Sequence, residues 1–600
     1  MSCTYFNYDC VISLDSKDST NVFLRQSEES LKNKKVLGIT YNHRAYNLND
    51  KNYIKALIER FDMEHLFFSI KPSAIKLIIK CDEIDIDQLK AYTQVIFAMQ
   101  CMVRYDIDVA YVSNEFLDTG TNLSSDAETI YNKLMAWVDG ISVSLQKITD
   151  LPMKKVLASL HSLKSKRHKL EGKKLIFQEI AASNKDAENI FDDLDMNQIS
   201  PLEKDLFWVG FDPTYKEVPW DKPYLETKFT EAVKSVPKNA GFYSSKLHYC
   251  NRCVMPETLE GITFDELGIC NVCRSSEEKM HINWEEREEN LNTILNNHRQ
   301  PDYYDCMLPM SGGKDSTFQA YVLSKRYKVD CLAVTHGQNM YSLTGRYNLE
   351  NCLQQFDMDH IIYNPKRSTI SKAARRSLVE IGDACWHCHI GAGTFPIQTS
   401  LKWDLKMMIW GESIAENDGR GTYYSQKEAS PFYNLEVSAR VSGENMVDEG
   451  FSEQELNQWF YPSKEELIES QMRYLHLGDY MFWDEERQVE FVVRNFEWMD
   501  SQVENTYKGY KSTECVIAGV HDYLNFLKRG IGRATWHASD DVRRGLITRE
   551  EGFELAKKHD TQRPHALDYY LKISGYTEEE IESEIIKARN LSDYAKKLNS

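Results

Sequence analysis

The tripeptide Tyr-Asp-Cys occurs at Tyr8–Cys10 and again at Tyr304–Cys306, each time opening a short apolar run that ends in Lys-Asp-Ser-Thr, Lys17–Thr20 and Lys314–Thr317. In the second copy the run passes into Ser311-Gly312-Gly313-Lys314-Asp315-Ser316, and Phe318, Ala320, Tyr321 and Leu323 follow at helical spacing. That order predicts strand, loop, helix. Two consecutive glycines let backbone N–H groups approach an oxyanion, and the helix N-terminus adds partial positive charge. Lys314 supplies a point charge, Ser311 and Ser316 supply hydroxyl donors, and Asp315 could hold Mg²⁺ on a pyrophosphate. The spacing is not that of a Walker A loop, so transfer of a γ-phosphate is disfavoured. The bland alternative is a serine- and glycine-rich turn that only opens a helix.

The likeness continues downstream. Phe61 to Ile75, FDMEHLFFSIKPSAI, parallels Phe356 to Ile370, FDMDHIIYNPKRSTI, and Arg104-Tyr105-Asp106-Ile107 echoes Lys402-Trp403-Asp404-Leu405. Three matches in one order predict an α/β unit built twice. The first copy has Asp15 and Ser16 in place of Gly312 and Gly313, so side chains fill the space a phosphate needs and Asp15 repels it. That copy is expected to be catalytically silent and to pack on the active one or bind a partner.

The chain of 600 residues carries a net charge of −19, a field that disfavours non-specific nucleic-acid binding. No apolar run reaches membrane-spanning length, and the N-terminus MSCTYFNYDC has neither the basic region nor the apolar core of a signal peptide. A cytoplasmic protein without membrane contact is expected. In that reducing compartment C-x-x-C pairs among the 14 cysteines point to metal or redox chemistry more than to disulfides.

Cys250-Asn251-Arg252-Cys253 and Cys270-Asn271-Val272-Cys273 stand sixteen residues apart. Two such pairs predict a tetrahedral Cys₄ zinc knuckle with a structural role, against the alternatives of unligated cysteines or an iron–sulfur cluster.

The SGGKDS segment resembles the ATP pyrophosphatase, or PP-loop, superfamily, whose members split ATP between the α and β phosphates. A closer likeness is carried by Tyr249-Cys250-Asn251-Arg252-Cys253-Val254-Met255-Pro256, Gly268-Ile269-Cys270-Asn271-Val272-Cys273, Trp410-Gly411-Glu412 and Gly519-Val520-His521-Asp522-Tyr523. Together these resemble the N-acetyl sugar amidotransferase family of bacterial surface-polysaccharide pathways, over roughly residues 245 to 600. The resemblance implies that ATP activates an amide carbonyl on a nucleotide-linked sugar, that ammonia from a separate glutaminase subunit displaces AMP, and that an acetamidino sugar for lipopolysaccharide results. The first 240 residues have no counterpart in the simplest members.

The expected fold is therefore α/β, with two PP-loop parallel-sheet units, the first degenerate, a helical insert and a Cys₄ zinc knuckle. The expected division is 1–120 for the degenerate unit, 121–211 helical (AETIYNKLMAWV, LPMKKVLASLHSL and KLIFQEIAAS recur apolar at three and four), 212–245 a proline-bearing linker, 246–290 the knuckle, and 291–600 the catalytic domain. Lys314, Asp315 and Glu412 are the candidate catalytic residues, and Ser311 through Ser316 the ATP contacts, with Mg²⁺ and Zn²⁺ as metals. Glu412 follows an apolar segment, Lys406–Trp410, at the strand end where ligands collect. Lys528, Arg529 and Arg533 are candidate phosphate contacts in a locally basic segment, although a solvated helix face is their ordinary role. Cys385 and Cys388, in Cys-Trp-His-Cys-His, form a candidate second metal site. A similar pair in the tRNA-thiolating PP-loop branch helps bind an iron–sulfur cluster, so sulfur transfer is the rival reading, with Cys515 or Cys352 as a third ligand.

Overall fold

A computed structural model describes residues 8–14, 34–41, 58, 63–74, 86–113, 124–132, 134–136, 163–178, 247–337, 340–413, 415, 422–424, 430–432, 434–447, 451–590 and 595–599. Among them β1 (Cys10–Ser13), β2 (Val36–Tyr41), β3 (Glu64–Ser69), β4 (Val109–Ser113), β5 (Ser124–Asp126) and β6 (Lys174–Gln178) come from the first half of the chain. The second half supplies β7 (Cys306–Pro309), β8 (Cys331–His336), β9 (Asp359–Asn364), β10 (Met407–Trp410) and β11 (Arg473–His476). All eleven join one sheet in the order β11-β10-β7-β8-β9-β3-β2-β1-β4-β6-β5. Pairing is parallel except for β3 with β9 and β5 with β6.

Each half places its first strand between its second and its fourth, the doubly wound arrangement. Such strands are covered on both faces. Cys10 and Ile12 of β1 accordingly enter one hydrophobic core while Val11 between them enters the other. The halves meet at equivalent edges: β3 runs against β9 with His65 opposite Asn364, Phe67 opposite Ile362 and Ser69 opposite His360. Because β3 and β9 carry the FDM repeat, the junction is self-complementary, like a two-fold dimer interface within one chain.

The repeated residues do repeated work. Tyr8 donates its hydroxyl to Glu64 Oε2 at 2.5 Å, and Tyr304 does the same to Asp359 Oδ2 at 2.5 Å. Asp9 accepts the N–H of Lys35 at 2.7 Å and Asp305 that of Asp330 at 2.9 Å, tying the first strand of each unit to the start of the second. The helices Ile86–Arg104 and Trp386–Lys402 both run into an aspartate in the left-handed region, Asp106 at φ 52° and Asp404 at φ 56°. Ile107 N–H then reaches Met102 O, and Leu405 N–H reaches Ser400 O, both at 2.9 Å. At the seam Arg104 donates to the Lys402 carbonyl at 2.6 Å with its guanidinium 3.9 Å over Trp403, whose other partner is the stacked ring of Phe68 at 5.5 Å.

The segment 121–211 is not wholly helical. Lys174–Gln178, expected in a helix, is β6, and Ser124–Asp126 is β5; Ala127–Tyr131 follow as helix. Five residues cannot separate the two periods, and β4 offers an open edge on which Lys174 to Gln178 pair with Val109 to Ser113. Asp15, Ser16, residues 151–162 and the linker 212–245 lie outside the described residues.

Candidate active site at the switch point

In the second half β7 and β10 lie side by side as first and fourth strands, and ligands of open α/β sheets collect at the carboxyl ends of such a pair. The SGGKDS loop leaves β7 there and Gly411-Glu412 leaves β10; a Cβ on Gly411 would sit 3.6 Å from Asp315 Cβ. Gly312 has φ +84°, and a Cβ on it would lie 2.7 Å from the Gly345 carbonyl and 2.8 Å from Leu349 N. Only glycine fits that crossing. The Gly312 carbonyl accepts from Trp498 Nε1 at 3.0 Å, Gly313 N–H meets Ser311 Oγ at 3.2 Å, and Ser316 and Thr317 hydroxyls both donate to Gly313 O at 3.0 Å. The helix Lys314–Tyr321 starts from this cradle.

Lys314 is buried, with Nζ 2.5 Å from Asp315 Oδ2 and 3.6 Å from Glu485 Oε1. Burial favours the neutral amine, but Asp315, Glu485 and Glu412 outweigh it and hold Lys314 above its usual range. Glu412 goes the other way: burial, then the charge of Asp315, lifts its carboxyl to about 7. Glu485, on the helix Glu485–Phe496, resists its own burial through Lys314 and Lys511, the latter at 2.7 Å, and stays ionised. Asp315 Oδ1 and Glu514 Oε2 are buried with no hydrogen-bond donor. Carboxylate oxygens left bare beside a lysine and a glycine loop suit a cation that arrives with a polyphosphate.

The wall over the loop comes from residues that no sequence motif marks. Glu514 Oε2 lies 3.4 Å from the Cβ position of Gly313. Lys508 Nζ bonds Asp541 Oδ1 at 2.6 Å, and the Tyr510 ring lies 5.8 Å from Lys314 Nζ. His537 holds Thr506 Oγ1 at 2.7 Å through Nδ1, its Nε2 has no partner, and burial followed by Lys511, Arg533 and Lys508 keeps it neutral. Of the three candidate phosphate contacts only Arg533 feels this site, bonding Asp522 at 3.0 Å with Glu514 and Glu485 also raising it. Lys528 instead donates to the Ile381 carbonyl at 3.0 Å, and Arg529 lies 3.6 Å from Glu260; no loop residue is among these partners.

Cys250, Cys253, Cys270 and Cys273 converge, fully buried, with Cys250 Sγ 3.9 Å from Cys273 Sγ and Cys253 Sγ 3.8 Å from Cys270 Sγ. A tetrahedron of ~2.3 Å zinc–sulfur bonds has edges of ~3.8 Å. The donor set fits zinc. Hydrogen bonds from Cys253, Cys270 and Cys273 hold Cys250 well below the ordinary thiol range, and the Cys270 N–H donates to its sulfur at 3.2 Å. Arg549 clamps the knuckle to the C-terminal helices through the carbonyls of Cys250 and Cys253, at 2.9 Å and 3.0 Å. Cys385 is buried in the turn before the helix Trp386–Lys402, within reach of Asp383 and His521, whereas Cys388 stands outside that group.

Residues 504–599 match the family model described as LPS biosynthesis protein WbpG-like, C-terminal domain. That segment holds Lys508, Tyr510, Lys511, Glu514, Arg533 and His537, so the matched part is the wall of the site. The match supports an enzyme family of lipopolysaccharide biosynthesis. Among curated proteins none matches the chain. Among the described residues no helix is long and apolar enough to cross a membrane.

Proposed function

We propose that the protein is an ATP-dependent amidotransferase of surface-polysaccharide biosynthesis, converting the N-acetyl group of a nucleotide-linked sugar into an acetamidino group. The observation that carries this reading is the SGGKDS loop at the switch point beside Glu412, roofed by a WbpG-like segment. The backbone of Gly312 and Gly313, the hydroxyls of Ser311 and Ser316, and Lys314 would hold the β and γ phosphates of ATP. Asp315 and Glu412, with Glu514 at the loop, are the oxygens for Mg²⁺, which when bound neutralises phosphate charge. The amide carbonyl oxygen attacks the α-phosphorus and pyrophosphate leaves with the bridging electron pair. Lys314, and Arg533 beside Glu514, stabilise that departing charge. Ammonia then adds to the adenylated carbon, AMP leaves with the former carbonyl oxygen, and one proton is released from nitrogen. Neutral His537 with its bare Nε2 is a group able to accept that proton.

The same reading makes zinc the occupant of the Cys₄ knuckle, a separate glutaminase subunit the ammonia source, and the cytoplasm the compartment, with the silent first unit, residues 1–120, as a packing or partner-binding domain. Incubation with ATP, Mg²⁺, ammonia and a panel of nucleotide-linked N-acetyl sugars tests it: AMP and a product one mass unit lighter than the sugar are expected. Release of ADP would refute it. One observation favours sulfur transfer as a second reading: after burial and Asp383, Cys515 and Cys388 raise Cys385, and after burial Cys515 raises Cys388, so the three thiols are neighbours, as cluster ligands would be. That reading requires thiolation of RNA by a brown protein.

A further inference from the structure

We propose that Asp383, Cys385 and His521 form a second metal site, taking a single divalent transition cation of the zinc class. The proposal does not depend on the amidotransferase reading. A carboxylate oxygen of Asp383, Cys385 Sγ and a ring nitrogen of His521 all lie within 4.8 Å of one another. Bonds of ~2.0–2.3 Å to oxygen, nitrogen and sulfur put the corners of a tetrahedron ~3.3–3.8 Å apart. Asp383 Oδ1 and His521 Nδ1, 3.1 Å apart, are already near that spacing, and the thiol, within 4.8 Å of both partners, has at most ~1.3 Å to close. A mixed oxygen, nitrogen and sulfur set suits zinc and its neighbours better than magnesium or calcium, and three protein ligands leave one position open.

The donors are held before any metal arrives. Asp383 and Cys385 sit in the turn between the helices Arg367–Ile381 and Trp386–Lys402, and His521 is in the first turn of Ala518–Arg529. Ser377 Oγ donates to the Asp383 carbonyl at 2.6 Å, and the Cys385 N–H donates to Asp383 Oδ1 at 2.8 Å. Asn525 Nδ2 lies 2.9 Å from His521 Nε2. An amide presents oxygen as readily as nitrogen, so Asn525 can accept from Nε2–H once Nδ1 gives its proton up to bind metal. His389 stands behind, its Nδ1 4.0 Å from Asp383 Oδ2 and its ring edge-on to His521 at 5.0 Å.

Electrostatics separates this site from a nucleophilic thiol. Burial and then the Asp383 charge push the Cys385 thiol well above its ordinary range, which sets it apart from an activated thiolate. Cys388 and Cys515 also raise Cys385, but neither belongs to the tight group, whose other members are a carboxylate and an imidazole.

The test is metal stoichiometry of the full chain, made without a polyhistidine tag or chelator, loaded with zinc sulfate and desalted. Plasma mass spectrometry should find two zinc ions per chain, falling to one in the Cys385→Ser, His521→Ala double variant, whose melting curve reports whether it folds. Asp383→Asn is the milder variant and should weaken retention of the second ion at least tenfold against a competing chelator. A wild-type ratio of one after loading that the double variant keeps overturns the proposal. So does a ratio of two that survives the double variant. Iron with acid-labile sulfide, lost in Cys388→Ser or Cys515→Ser yet kept in Asp383→Asn, would assign a three-thiolate cluster in its place.

Discussion

Phe67 faces Ile362 across the antiparallel junction of β3 and β9, and each is the seventh residue of its copy of the FDM repeat, counted from Phe61 and Phe356. A position that pairs with its own counterpart lies on a two-fold axis. Around it Thr40 Oγ1 meets His65 Nε2 at 3.0 Å and Thr335 Oγ1 meets His360 Nε2 at 2.8 Å, the same contact on both sides. The first unit therefore extends the sheet of the second through the edge opposite β10 and the switch point.

Lys314→Ala is expected to lower AMP formation by about 10²–10³-fold, the usual loss on removing one donor to developing charge, and to lower the melting temperature, because it leaves Asp315 and Glu485 without this buried cation. Lys17→Ala in the first unit is expected to leave the rate as it was. Nucleotide titration by calorimetry should give one site per chain, and two sites would overturn the silent role of that unit.

Gly312→Ala is expected to abolish turnover and to destabilise the fold. The substitution strains a backbone at φ +84° and forces a methyl to within 2.7 Å of the Gly345 carbonyl. Gly313, at φ −68°, is not strained in this way, and the Cβ of Gly313→Ala would meet Ser311 Oγ and Glu514 Oε2 at 3.2 Å and 3.4 Å. It should fold, and binding of ATP measured by fluorescence should fall.

Glu412 predicts a pH dependence of known sign. Its folded value of about 7 lies above the ~4.3 of a free glutamate, so the unfolded chain loses this proton first. The stability contributed by the neutral carboxyl is complete below pH ~4.3 and is lost as pH rises through about 7. Magnesium-free melts should show a shallower decline in Glu412→Gln than in wild type, the remainder coming from Asp560, Asp359 and Asp479, whose carboxyls burial also raises. AMP formation, which needs the anion, should rise through the same window in wild type only.

Removing the knuckle metal, by chelation or by Cys270→Ser, is expected to loosen the C-terminal wall. Arg549 holds the carbonyls of Cys250 and Cys253, so disorder at the thiolates passes directly to the helix Arg549–Asp560. Hydrogen exchange should speed up there while β7 and β8 stay protected. Uniform protection after zinc loss would contradict it.

The sequence by itself determined the strand–loop–helix around SGGKDS, the repetition of the unit and the grouping of the four knuckle cysteines. Each is a local pattern: glycines where backbone must approach closely, alternating burial on a strand, thiols two apart on a tight turn. It also carried the Tyr-Asp-Cys signature, whose Tyr and Asp turn out to tie the third and second strands to the first. Only the tertiary structure decided which charged residues share the site. Glu485, Lys511, Glu514 and His537 lie far from Lys314 in the chain and carry no motif, and they reach it because the helices after β11 fold back over the loop. Lys528 and Arg529 went elsewhere because buried cations settle on the nearest carbonyl or carboxylate, here Ile381 and Glu260. Lys174–Gln178 became a strand for a similar reason. An open sheet edge satisfies a whole row of backbone groups, and five residues have too little helical preference of their own to oppose it.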